Sequence, residues 1–290
     1  MGIRTLTGAV FVLLTTLFFL LRQFVHEYFF YLYLAIFCSI GTFEVSRALG
    51  YGIKDLIYKF SVVYGILIVP FFVLTQALTG FGGPISFAIT LVIVLVFSII
   101  LRNSDSFEIS APRQKVKIYN PRSRILSLLY PSVFILFMCM LNAFYDDKGF
   151  MGVLLLFVIA PFTDTGAYLI GILYNIIRKG KAKKLAPNIS PKKTIAGFIG
   201  GLLGGALGAY LVLIIFNPKL YLSNPLVFFV VVGVLGSLFT QIGDLFESFI
   251  KRNVGIKDMG NILPGHGGIM DRIDGMCFCS ALLYFAFILF

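Results

Sequence analysis

Residues 243–274 read GDLFESFIKRNVGIKDMGNILPGHGGIMDRID. From Asp244 onward this window holds five of the thirteen acids, four of the twenty-four Lys and Arg, and one of the two His. The chain around it is 59% hydrophobic and only 13% charged, with a mean hydropathy of +0.95. Ordinary soluble domains carry about 25% charged residues. Charge, Gly and Pro gathered into one window of such an apolar chain point to a phosphate and metal site at the edge of a membrane.

Working outward, the apolar runs reach the ~18–20 residues that cross a bilayer. Nine spans are expected, near 5–21, 28–48, 57–78, 84–101, 124–144, 150–174, 194–216, 225–250 and 275–290. Barrel strands would instead alternate over ~10 residues, so the fold class is an all-α polytopic membrane protein. The first run follows Arg4 and continues into Leu21-Arg22-Gln23-Phe24 without a small-x-small cleavage site, and so reads as a retained helix. With the N-terminus inside, 21 Lys and Arg fall in inner segments and 3 (Arg22, Lys148, Lys219) in outer ones. That asymmetry predicts a cytoplasmic N-terminus and an outer C-terminus.

The same asymmetry accounts for the net charge of +11 without nucleic acid as a partner. Cys38, Cys139, Cys277 and Cys279 lie in apolar runs, none at metal-ligand spacing with a His, and read as small core residues. The longest connectors are 102–123, with Pro112 and Pro121, and the Lys-rich 175–193. Residues 1–149 form an N-terminal group of helices that packs and shapes a lipid groove. Residues 150–290 form the group that carries the chemistry, with the signature window 243–274.

Three polar clusters could carry that chemistry. Asp164, Tyr168 and Gly171 stand at i, i+4 and i+7 on one helix face, and an acid inside a span is a functional candidate by default. Ser190-Pro191-Lys192-Lys193-Thr194 enters a Gly-rich helix; Ser or Thr can cap its start, and the free N–H groups there attract anions. Its glycines at small-xxx-small spacing (Gly197/Gly201, Gly200/Gly204, Gly201/Gly205, Gly204/Gly208) suit close helix approach. In the window itself, Asp244, Glu247, Ser248 and Lys251 make one stripe at i, i+3, i+4 and i+7. Lys257 and Asp258 follow. Then comes the Leu263-Pro264-Gly265-His266-Gly267-Gly268 turn, which cannot continue a helix, and Asp271, Arg272 and Asp274 at the start of the last helix. Acids with no Cys and little His favour a hard cation, Mg²⁺ first. Lys and Arg beside them suit phosphates. The mixture fits phosphoryl or nucleotidyl transfer.

The run Ser248-x-x-Lys251-Arg252-x4-Lys257-Asp258-x-Gly260-x-x-Leu263-Pro264-x-His266-Gly267-Gly268-x-x-Asp271-Arg272-x-Asp274 resembles the signature of the phosphatidate cytidylyltransferases (CDP-diacylglycerol synthases). Asp164-Thr-Gly-Ala-Tyr168 and Ser190-Pro-Lys-Lys-Thr194 resemble that family's upstream motifs. The resemblance is specific over about 160–275. It departs at Ala196, where the family often has Glu, and after Gly171, where ILYNIIRKGKAKK replaces an expected Gly-Arg or Gly-Lys stretch.

The resemblance implies transfer of CMP from CTP to phosphatidic acid, giving CDP-diacylglycerol and pyrophosphate at the cytoplasmic face of a bacterial plasma membrane. A phosphate monoester with a second pKa of about 6 is already an anion at neutral pH and needs little general-base help. The resemblance places Mg²⁺ on Asp244 and Asp271, with a second ion left open and Asp274, Asp258 and Glu247 as further candidates. It gives Lys251, Arg252, Lys257, Arg272, Lys192 and Lys193 to the phosphates. Ser248, Asp164, Thr194, His266, Gly267 and Gly268 complete the pocket. Membrane lipids are the other expected partners, and a homodimer is open. A CTP-dependent polyprenol or lipid kinase is the alternative within lipid chemistry. A cation-coupled transporter is the alternative outside it, but that would need polar groups near the bilayer midplane, accessible from both sides.

Overall fold

The computed structural model describes residues 2–50, 56–80, 82–100, 126–144, 146–218 and 223–289. The connector 102–123 lies outside these, as do Lys54, Arg124 and Lys219 from the charge count. Nine helices are present among the described residues. They are α1 (Gly2–Phe24), α2 (Tyr28–Ala48), α3 (Leu56–Thr79), α4 (Gly82–Ile100), α5 (Ser132–Asn142), α6 (Asp146–Ile177), α7 (Ile195–Phe216), α8 (Pro225–Asn253) and α9 (Met270–Leu289). A two-stranded antiparallel hairpin, β1 (Lys184–Ala186) and β2 (Ser190–Thr194), precedes α7. Among the described residues seven helices (α1, α2, α3, α6, α7, α8 and α9) are long and apolar enough to cross a bilayer. The chain is a multi-pass, all-α membrane protein.

A helix lies at each of the nine expected spans; α4, at the span expected over 84–101, is not among the seven, and there are three further differences. The span expected at 124–144 is described from residue 126, and its apolar helix Leu126–Asn142 falls below spanning length. The last helix starts at Met270, before the span expected from 275, and it holds Asp271 and Asp274 in its first turns, as expected of the window. Ser190–Thr194 is a strand where a helix entry was expected. Only Thr194 caps α7, its Oγ1 accepting from Gly197 N at 3.0 Å.

The chain divides into two compact units, 1–140 with 253–272, and 141–252 with 273–290. In the first, α2 is the interior helix. Phe30, Tyr33, Leu34 and Cys38 are all buried on it, because its apolar and small residues cover every side. It meets α1 through Phe11–Phe37 and Phe18–Tyr33 ring contacts, centroids 5.9 and 5.5 Å apart. It meets α3 through Tyr31–Phe72 at 5.7 Å and at Gly65, where Thr42 fills the space a Cβ would need. α1 leaves Leu6, Leu13 and Phe24 exposed, a surface that lipid tolerates and water does not. The buried hydroxyls bond locally: Thr42 Oγ1 donates to Cys38 O at 2.9 Å, and Thr75 and Ser86 join α3 to α4 at 3.1 Å.

The second unit is built on glycine. A Cβ at Gly200 of α7 would lie 2.6 Å from Gly166 O of α6, and one at Gly205 would lie 2.8 Å from Gly233 O of α8. Lipid gives helices no hydrophobic reason to associate, so close backbone approach and buried hydrogen bonds must supply it. Ser237 Oγ donates to Gly201 O at 2.7 Å, and Gln241 Nε2 to Phe198 O at 3.2 Å. The same device continues from α8 to α9. A Cβ at Gly243 would sit 2.5 Å from Asp274 O, and one at Gly275 would sit 2.6 Å from Thr240 Cγ2. All four cysteines are buried thiols, none of them in a disulfide.

Candidate functional site

In the second unit, a cavity of about 490 Å³ opens between α6, the hairpin, α7 and α8. That volume lies in the usual range for small-molecule sites. Each wall contributes for a local reason. α6 presents Asp164, Tyr168, Gly171 and Asn175, four positions that share one face at helical spacing. The hairpin presents Lys184, Lys192, Lys193 and Thr194. Gly171 and Gly197 let α6 and α7 close to backbone distance at the base, since a Cβ on Gly171 would be 3.5 Å from Gly197 Cα. Gln241 and Asp244 complete the wall from α8.

The electrostatics of the cavity are mixed. Lys193 Nζ lies 2.5 Å from Asp244 Oδ2, both half-buried, and so ties the hairpin to α8. Ser248 Oγ donates to Asp244 Oδ1 at 3.4 Å. Asp274 lies in this unit, within electrostatic reach of Asp244 first and of Lys251 and Asp164 after it. The Asn175 amide oxygen is buried with no hydrogen-bond partner among the described residues, which makes it an acceptor on offer to whatever enters. Thr194 serves the fold first, as the cap of α7.

The polar stripe of α8 exists as its spacing predicts, but its members face different tasks. Glu247 is fully buried and holds Lys251 Nζ at 3.1 Å. Lys251 is therefore set inside the unit and is not one of the residues lining the cavity. Arg252 is exposed, and its Nε donates to Ile189 O at 3.2 Å, bracing the hairpin turn against the end of α8.

The remaining signature residues belong to the first unit. Leu263 N donates to Gly267 O and His266 N to Leu263 O, both at 2.9 Å, closing a tight turn. Gly265 and Gly267 have φ of 77° and 83°, a region costly for any residue with a Cβ. His266 Nδ1 is 2.8 Å from Thr7 Oγ1 of α1, and the exposed Arg272 donates from a guanidinium nitrogen to His266 O at 2.8 Å. Asp271 Oδ2 accepts from Met259 N at 2.9 Å and Gly268 N at 2.8 Å. Lys257 and Asp258 are exposed. The structure thus gathers Asp164, Lys192, Lys193, Thr194 and Asp244 around one cavity, and gathers Asp258, His266, Gly267, Gly268, Asp271 and Arg272 around one loop.

Sequence reasoning missed Asn175, Lys184 and Gln241. Asn175 continues the Asp164 face one turn beyond Gly171, so following that face further would have found it. Lys184 lies in the Lys-rich connector 175–193, whose charge the excess of Lys and Arg in inner segments already explains. Gln241 lies one turn before Asp244 on the same side of α8 and looked like an isolated polar residue in a span.

Among the described residues no group of three or more His, Cys, Asp or Glu is clustered tightly enough to cage a metal. Magnesium does not require such a cage. It is usually bound by one or two carboxylates, waters and substrate phosphates. The donors around Asp244 are hard oxygens, and Asp244 already holds a cationic group, so the residues present fit such an ion.

The sequence pattern of the cytidylyltransferase family matches residues 2–290. The chain is similar to the phosphatidate cytidylyltransferase of Bacillus subtilis (strain 168), 38% identical over 145 residues, covering 50% of each chain. It is similar to that of Staphylococcus epidermidis (strain ATCC 12228), 42% identical over 142 residues, 48% of this chain and 51% of the relative. With that of Staphylococcus aureus (strain COL) it shares 36% identity over 195 residues, 66% of this chain and 64% of the relative. The chain thus spans about half to two thirds of the length of the curated relatives it matches. With a family match over almost the whole chain, and with carboxylates and lysines converging on one cavity, this membrane protein belongs to the cytidylyltransferase family.

Proposed function

We propose that the chain transfers CMP from CTP to phosphatidic acid at the cytoplasmic face of the membrane. A phosphate oxygen of phosphatidic acid attacks the α-phosphorus of CTP. The bond from that phosphorus to the α–β bridging oxygen breaks, and pyrophosphate leaves with its electron pair. The acceptor is an anion at neutral pH, so no side chain has to remove a proton. The observation that carries this reading is the cavity itself. Lys184, Lys192 and Lys193 offer charge to phosphates, and Asp164 and Asp244 line the same cavity, Asp244 paired with Lys193. The relatives named phosphatidate cytidylyltransferase support the choice of substrates.

Asp244 would hold Mg²⁺ with phosphate oxygens, and Asp271 is kept as a second ligand on the resemblance alone. When bound, the ion offsets the negative charge that develops on the phosphates. The chain's own part is orientation. Lys193 neutralises Asp244 in the structure and would turn to a phosphate once that carboxylate has another partner. The Asn175 oxygen would accept a hydrogen bond from the nucleotide. Nine spans, with the N-terminus inside and the C-terminus outside, are proposed from the 21-to-3 division of Lys and Arg. In this arrangement residues 150–290 supply the nucleotide pocket, and residues 1–149 the lipid-facing groove.

Membranes containing the protein are to be incubated with phosphatidic acid and CTP labelled at either the α- or the γ-phosphate. Label from the α-position in a lipid product is expected. Lipid labelled only from the γ-position would identify a CTP-dependent lipid kinase, and no labelled lipid at all would favour a transporter.

A further inference from the structure

Glu44 of α2 is an acid buried inside a candidate span, with only 2% of its surface exposed. Its nearest basic neighbour in sequence is Arg47, a suitable i+3 partner, but the Arg47 guanidinium lies over the Phe43 ring, 5.6 Å from its centroid. The Glu44 carboxylate points the other way, into the signature loop. Oε1 accepts from Ile269 N at 3.1 Å and Oε2 from Met270 N at 3.0 Å. These are N–H groups at the start of α9, which no intrahelical carbonyl can satisfy. Two loop glycines close over the same carboxylate. A Cβ on Gly268 would lie 2.5 Å from Glu44 Oε2, and one on Gly260 would collide with Glu44 Oε1.

We infer that Glu44 is a positioning residue for the signature loop, a built-in anion that fixes the start of α9 and hence the carboxylate of Asp271. Asp271 stands two residues after Ile269, and its Oδ2 is held by Gly268 N and Met259 N. The glycine Glu44 packs on is therefore the one whose N–H orients Asp271. Glu44 also explains why Gly260 and Gly268 are glycine: the carboxylate occupies the space of their side chains. Because Glu44 takes up the N–H groups of Ile269 and Met270, these are not on offer to a substrate phosphate. The anion-binding work of the signature is left to its Lys and Arg.

The test compares wild type with Glu44→Gln and Glu44→Asp, solubilised as the full chain. An amide can accept from only one of the two converging N–H groups and turns its own NH₂ toward the other. Glu44→Gln is expected to exchange the Ile269 and Met270 amide hydrogens about tenfold faster or more, the loss of one charge-assisted hydrogen bond. Exchange in the other helices should be unchanged. Glu44→Asp, which keeps the charge but is one methylene shorter, should fall between. In CMP transfer, Glu44→Gln should lower kcat and raise the Mg²⁺ concentration at half activity, while KM for phosphatidic acid stays put. A purely structural acid would alter protein yield without moving the Mg²⁺ response. Wild-type exchange at residues 269–270 in Glu44→Gln, or an unaltered Mg²⁺ response, would overturn the inference. The activity arm rests on the proposed CMP transfer. If wild type makes no labelled lipid, that reading fails, and the exchange comparison still decides whether Glu44 anchors the loop.

Discussion

Lys193 and Asp244 form the contact on which the cavity turns. Their 2.5 Å pair joins a hairpin strand to a membrane helix and sets opposite charges at the cavity wall. Asp244→Asn keeps the shape but removes the charge, leaving the Lys193 ammonium without its carboxylate. CMP transfer is expected to fall about 100-fold or more, the scale of removing one charge-stabilising group, while the protein still inserts. Asn175→Ala should raise KM for CTP several-fold with little change in kcat, since it removes an acceptor the fold does not use. An unchanged KM would show that the buried oxygen faces no ligand. The Asp244–Ser248 and Glu247–Lys251 relations were legible in sequence because i, i+4 spacing puts them on one helix face. Glu44 was not, because its partners lie 225 and 226 residues away and a local one was on offer in Arg47.

At the scale of elements, the glycine seams hold the cavity walls at their spacing. Gly200→Ala places a methyl 2.6 Å from Gly166 O and from Ile170 Cβ. Backbone cannot yield there cheaply, so the substitution should destabilise by about 1–3 kcal/mol, the usual cost of overpacking, and lower the Tm in detergent. The same substitution at Gly80, where nothing lies within 4 Å of the added Cβ, meets no neighbour but still strains a backbone at φ 72°. The comparison thus separates crowding from backbone strain. Equal Tm loss at the two positions would show that the seam is not tight. The small-xxx-small spacing made this seam readable in advance. The hairpin was not readable, because β1 is three residues long and shows no alternation. A lysine-rich run before a helix looks the same whether it pairs as a strand or floats as a loop.

For the whole molecule, hydropathy and the Lys/Arg asymmetry identify a multi-pass helical protein with little ambiguity, because both are summed over many residues. Boundaries were less legible. α9 starts at Met270, earlier than its apolar run suggests, where the Glu44 carboxylate from α2 accepts from the N–H groups of Ile269 and Met270. Sidedness makes a direct prediction. In sealed vesicles of known orientation, a cysteine at Lys183 should react only with a reagent supplied from the cytoplasmic face, and a cysteine at Lys148 only from the opposite face. Reaction of both from one side would break the nine-span alternation. The measurement closest to the central claim is transfer of α-labelled CMP to phosphatidic acid by wild type and Asp244→Asn, at matched amounts in the same membranes. The account predicts labelled lipid from wild type and near-complete loss in the variant. Equal labelling by both would contradict the assignment of the reaction to this cavity.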